Sequence, residues 1–196
     1  MRTQGHPTRR DVIKAGSASV LASAVMPFAP SAAFATGVGC QAPRWDVSEW
    51  INGDPGNVDT LKGRIIVIDF FQLWCPGCNS FSGPLLNQWQ KTFADEIAEE
   101  RMVLLKIHTV FEGHNYQTVE RLKSYISEKG ITLPVGVDRH RDGQRLPETM
   151  RAYRTRGTPE MAVIDQDGEI RFQQFGFFES PPVEAMMRDL LGRSRA

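Results

Sequence analysis

The chain has 196 residues, 41% apolar and 23% charged, which excludes intrinsic disorder, collagen-like repeats and a multi-span membrane protein. Its 23 basic and 23 acidic residues cancel, so nothing points to nucleic acid, and no block of like charge forms a binding tail. Three cysteines are too few for a disulfide scaffold, so each is read for its own chemistry.

The charge balance hides an asymmetry. Residues 1–35 carry Arg2, Arg9, Arg10 and Lys14 against Asp11, and no charge occurs from Ala15 to Pro43. A basic start, an apolar middle and the small-residue site Ala33-Phe34-Ala35 are the three parts of a secretory signal. Thr8-Arg9-Arg10-Asp11-Val12-Ile13-Lys14 resembles a twin-arginine export signal, departing from it at Val12-Ile13, where that signal prefers Phe-Leu. Pro27 and Pro30 make the apolar stretch a poor permanent membrane span. The expectation is cleavage after Ala35, leaving 161 residues in the periplasm or outside the cell, where disulfides persist.

Residues 36–57, rich in Gly, Pro and Asp, read as an irregular lead-in pinned by Trp45 and Trp50, with the folded domain over 58–196. Ile65 to Phe71 is a β-branched and aromatic run, as expected of a central parallel strand covered on both faces. Beyond Cys-Pro-Gly-Cys, the residues Leu85, Trp89, Phe93 and Ile97 recur every four positions and predict a helix. Met102–Ile107 is a second buried strand. Asn115–Lys129 is a helix stopped by Gly130. Leu133–Val137 is a short strand and Pro147–Tyr153 a short helix. Met161–Asp165 and Glu169–Phe175 form a hairpin around Gln166-Asp167-Gly168. Ser180 caps a last helix that has Pro181 in its first turn. Alternating strands and helices closed by a hairpin predict an α/β domain with a central mixed sheet flanked by helices.

The chemistry sits at Trp74-Cys75-Pro76-Gly77-Cys78. Two cysteines three apart, where a strand ends and a helix begins, are unequal. The first meets free backbone N–H groups and the helix dipole, which favour its thiolate. The second lies one turn on and can resolve a mixed disulfide formed by the first. CxxC is also half of a zinc site. Zinc would need two more ligands, and Cys40 is alone while His6, His108, His114 and His140 show no paired spacing.

Asp69-Phe70-Phe71-Gln72-Leu73-Trp74-Cys75-Pro76-Gly77-Cys78 resembles the active-site strand of the thioredoxin superfamily. Leu61-Lys62-Gly63-Arg64-Ile65-Ile66-Val67 looks like the approach to it in the TlpA-like branch of periplasmic thiol–disulfide oxidoreductases. Gly157-Thr158-Pro159-Glu160 looks like the Gly-x-Pro-Glu segment of cytochrome c maturation members. The resemblance covers roughly residues 58–192. It implies a thioredoxin fold, a redox-active Cys75–Cys78 disulfide with no other cofactor, and Pro159 as a cis-proline facing the cysteines. It also implies Thr158 as the residue whose backbone pairs with substrate, beside Trp74, Pro76 and Gly77. The implied partners are protein thiols and disulfides, with apocytochrome c a candidate substrate and a membrane component a candidate electron donor.

Asp69 lies inside a covered strand, where a carboxylate is costly unless paired or kept neutral. It stands six residues before Cys75, the place of the buried acid that is thought to deprotonate the second cysteine of thioredoxin. Many TlpA-like proteins have Asn there, and some carry a Glu six residues after the first cysteine, where this chain has Phe81. Glu160 reads either as charge beside the site or as a solvated strand residue. His108 and His114 flank a loop at a strand's C-terminal end, where ligands can be reached. Cys40 follows a weak lipidation box and is open as a free thiol or an intermolecular partner.

The leading functional reading is an exported thiol–disulfide oxidoreductase. The lack of His between the cysteines leans it toward a reductase. Two alternatives stay open. One is a peroxiredoxin-like thiol peroxidase, whose pattern has Thr three residues before its reactive Cys, where this chain has Gln72. The other is a non-enzymatic copper or zinc carrier using Cys75, Cys78 and a loop His.

Overall fold

The computed structural model describes residues 37–193, so the signal-like segment and its expected cleavage after Ala35 lie outside the described residues. Within the lead-in expected to be irregular, Val47–Ile51 forms a strand, β1. It pairs antiparallel with β4 (Val135–Asp138) at one edge of the sheet. Ser48 and Glu49 are exposed there, so no period-two apolar signal marks the strand. Trp45 does pin the segment: it is buried, its indole N–H donates to the Gly56 carbonyl at 3.0 Å, and it meets Trp50 edge-on.

The sheet has six strands in the order β1-β4-β3-β2-β5-β6, adding β2 (Ile65–Phe71), β3 (Met102–His108), β5 (Glu160–Ile164) and β6 (Ile170–Phe175). β2, β3 and β4 run parallel at its centre, and β5 and β6 are antiparallel. Strand alternation then sorts the side chains. Ile65 and Val67 face α1 (Gly83–Thr92) and α5 (Ser180–Arg193), where Leu86, Trp89, Val183 and Met187 bury their apolar faces. Ile66, Ile68 and Phe70 point to the other face, with Tyr153 of α4 (Glu148–Tyr153). By the same parity Asp69 and Phe71 lie on the α1 side.

Two predicted helices are shorter than expected. The run through Ile97 breaks at Phe93 (φ −113°, ψ 28°), and Ala94–Ala98 is a separate turn of helix, α2. α3 (Val119–Lys129) starts four residues late because Tyr116 and Gln117 are used in the loop that packs on Leu73 and Trp74. Thr118 is its cap, accepting the Arg121 N–H, and Gly130 ends it with φ 61°.

Candidate active site

β2 ends at Phe71, and helical backbone resumes at Pro76 and Gly77, so Cys75 stands at a helix start. Pro76 loses nothing there, because its missing N–H would have no partner in the first turn. The helix then loosens: Cys78–Ser82 is a π-helical turn in which the Gly83 N–H reaches back to the Cys78 carbonyl. Pro84 explains it, since in a regular helix its ring would meet the carbonyl four residues back. Gly83 is required by the same geometry, because a Cβ there would lie 2.8 Å from the Cys78 oxygen.

The two cysteines are thiols in unlike surroundings. The Cys78 N–H donates to Cys75 Sγ at 3.1 Å. Hydrogen bonding from the Cys78 side chain, with that backbone N–H, pulls the Cys75 thiol down to about 6 against the opposing effect of burial. Cys78 is 2% exposed, and its own hydrogen bond to Cys75, then burial, then the nearby Asp69 charge push its thiol well above the ordinary range.

Behind Cys78, Asp69 is fully buried and forms an ion pair with Lys106 Nζ. The pair follows from register: β2 and β3 are parallel, with Asp69 directly opposite Lys106. Sequence reasoning missed Lys106, although it is the one charge in the run Met102–Ile107. Asp69 Oδ1 has no hydrogen-bond partner among the described residues. A cavity of about 200 Å³ connects this region to solvent, lined by Cys78, Asn79, Gly83, Lys106, Tyr125 and Lys129.

In front of Cys75 lies a more apolar groove of about 540 Å³, lined by Gln72, Trp74, Cys75, Phe111, Thr158 and Phe175, among others. The Thr158–Pro159 peptide is cis. Pro159 packs so closely on Gly77 that a Cβ at Gly77 would lie 2.8 Å from its Cδ, which is why glycine fits between the cysteines. Trp74 is 44% exposed and stacks on Tyr116 at 5.9 Å. It also lies directly over Gly113, where any Cβ would overlap the indole. A buried polar chain supports this loop: Gln117 Oε1 accepts the Leu73 N–H at 2.9 Å and meets His108 Nε2 at 3.1 Å.

Other residues singled out in the sequence fall elsewhere. Glu160, which follows Pro159, is not a solvated strand residue. It is 2% exposed and accepts from the Arg156 N–H at 2.8 Å and Gln173 Nε2 at 2.7 Å, because every position of β5 is covered. His108 is a buried support of the loop, held down to about 4 by burial. His114 and His140, unpaired by spacing, are brought into ring contact at 5.1 Å by two neighbouring loops. Cys40 is half-buried, its carbonyl accepting the Ile170 N–H at the start of β6.

The AhpC/TSA family profile matches residues 38–173. The chain belongs to the AhpC/TSA family. It is 37% identical to a thioredoxin-like superfamily protein of known structure, over 78% of this chain and 96% of that one, with a TM-score of 0.72. It is 38% identical to a thiol-disulfide isomerase from Corynebacterium glutamicum, over 76% of this chain and 96% of that one, with a TM-score of 0.69. It also resembles the thiol-disulfide oxidoreductase ResA of Bacillus anthracis, 22% identical over 78% of each chain. Protein DipZ of Mycobacterium bovis is 24% identical over 76% of this chain, which spans 20% of DipZ. This AhpC/TSA member thus has the thioredoxin fold, with two buried free cysteines, Cys75 and Cys78, at the start of a helix.

Proposed function

We propose that the chain is exported by the twin-arginine route, works outside the cytoplasm, and reduces protein disulfides with Cys75 and Cys78. The observation that carries this reading is the asymmetry of the pair. Cys75 is held as a thiolate near neutral pH at the edge of a groove, while Cys78 is buried one turn behind it as a thiol.

In the first step the Cys75 thiolate attacks one sulfur of the substrate disulfide. That S–S bond breaks, its electron pair leaves on the second substrate sulfur, and a mixed disulfide forms. In the second step Cys78 gives its proton toward the Asp69 carboxylate and attacks Cys75 Sγ. The substrate departs with two electrons as a dithiol, taking its protons from solvent. The chain is left as the Cys75–Cys78 disulfide, and a dithiol donor, for which a membrane component is the candidate, restores it by the reverse exchange. In this reading Trp74, Pro76, Gly77, Thr158 and Pro159 shape the substrate site, and apocytochrome c is a candidate substrate.

Two features favour reduction over oxidation. No His separates the cysteines. A nucleophile near 6 is also closer to the roughly 7 of a reductant than to the roughly 3.5 of a strong oxidant. The test is reduction of insulin disulfides with a small dithiol as donor, which Cys75→Ser should abolish. A thiol peroxidase remains a second reading, kept by the family assignment and opposed by Gln72 where the peroxidase pattern has Thr. Peroxide consumption exceeding insulin reduction under the same donor would favour it.

A further inference from the structure

Gln72 is the residue between β2 and the cysteine turn, and it lies at the floor of the groove beside Cys75. It is 1% exposed. Its Oε1 accepts from the Trp74 indole N–H at 3.3 Å and from the Thr158 hydroxyl at 3.4 Å. One carbonyl oxygen therefore joins the two walls of the groove, the Trp74 turn and the loop before Pro159. The indole can only donate, so this contact fixes which end of the amide is oxygen. Gln72 Nε2 is then left as a buried donor with no partner among the described residues. A buried donor is costly to leave unmatched, and beside a groove a bound ligand can supply the missing acceptor.

We propose that Gln72 is a specificity-determining residue, whose Nε2 donates to a backbone carbonyl of an extended polypeptide segment flanking the substrate disulfide. The inference rests on the disulfide-reductase reading and names its substrate class: protein or peptide disulfides with a peptide carbonyl next to the cysteine, over small disulfides lacking one. The occupant follows from the groove. Phe111, Trp74 and Phe175 give it apolar walls for side chains, and the floor offers a neutral donor that matches a carbonyl rather than a carboxylate.

The test compares two disulfides in one assay: a disulfide-linked peptide, and hydroxyethyl disulfide, which has no carbonyl. The readout is the ratio of their kcat/KM values in wild type, Gln72→Leu and Gln72→Met, the second filling the amide's volume without its donor. One neutral hydrogen bond is worth about 0.5–1.5 kcal/mol, so the ratio should fall by about twofold to twelvefold in both variants, carried by KM for the peptide. Gln72→Glu keeps an oxygen for Trp74 and Thr158 but has no donor, so its ratio should fall as well; a Gln72 that only joins the groove walls would leave that variant at the wild-type ratio, which would overturn the proposal. The hydroxyethyl disulfide rate also serves as the control on the underlying reading. If wild type reduces neither compound, the reductase function fails. If it reduces both and the variants keep the wild-type ratio, the role of Gln72 fails alone.

Discussion

Replacing Asp69 by Asn separates two consequences of one buried pair. Asp69 is fully buried and the Lys106 side chain is 5% exposed, so the substitution leaves a buried ammonium without its counter-charge. Breaking such a pair costs about 3–5 kcal/mol. For a domain of this size each kcal/mol lowers Tm by about 2–4 °C, so Asp69→Asn should melt about 6–20 °C lower. Adding Lys106→Met removes the stranded charge and should recover most of that loss. The kinetic consequence should not recover. Loss of a proton acceptor slows the step that needs it by about 10²–10⁴-fold, and in this account that step is resolution by Cys78. An aromatic disulfide whose released thiolate is coloured resolves the two steps. Attack by Cys75 frees one equivalent, and attack by Cys78 on the mixed disulfide frees the second. The second phase should slow at least a hundredfold in both Asp69→Asn and the double variant, with the first phase nearly unchanged. Equal slowing of the two phases, or restoration of the second phase by Lys106→Met, would refute a proton-transfer role for Asp69.

Alkylation of Cys75 should follow its thiolate, rising with pH to a plateau with a midpoint of about 6, and Cys78→Ser should trap a mixed disulfide that Cys75→Ser does not; mass spectrometry of the trapped species decides between them. Gly77→Ala forces a methyl against Pro159 and should cost about 1–3 kcal/mol in denaturant unfolding while raising KM for insulin, and unchanged stability would show that the Pro159 loop yields freely. His108 stays neutral when folded down to about 4 but takes up a proton near 6.5 when unfolded. Between those values the unfolded chain binds more protons, so stability should fall as pH drops from about 6.5 to 4, by up to about 3 kcal/mol, and His108→Gln should flatten that slope. Replacing Arg9 and Arg10 by Lys should leave precursor in the cytoplasm, and unimpaired export would remove the twin-arginine route.

The parts of the site legible in the sequence are those encoded by neighbours along the chain. β2 announces itself by seven positions of which all but Asp69 are apolar or aromatic, and the cysteine pair follows beyond its end. What the sequence hides depends on registers between distant segments. Lys106 becomes the partner of Asp69 only when β2 and β3 align residue by residue. Gln72 and Thr158 meet across 86 residues, and nothing local to Gln72 separates it from an ordinary loop amide. β1 is hidden for the opposite reason: an edge strand keeps polar residues outward and borrows its order from β4. The burial of Glu160 is hidden in the sequence because its partners, the Arg156 backbone and Gln173 of β6, exist only once the closing hairpin has formed.

The reduction potential of the Cys75–Cys78 pair tests the account most directly. At pH 7 a nucleophile near 6 rather than about 7 stabilises the reduced form by less than a factor of ten, which for two electrons is under about 30 mV. Starting from the roughly −270 mV of a thioredoxin, the pair should equilibrate with glutathione or a dithiol buffer between roughly −270 and −240 mV. A value near −120 mV would mark a strong oxidant and contradict the assignment of this chain as a reductase of protein disulfides.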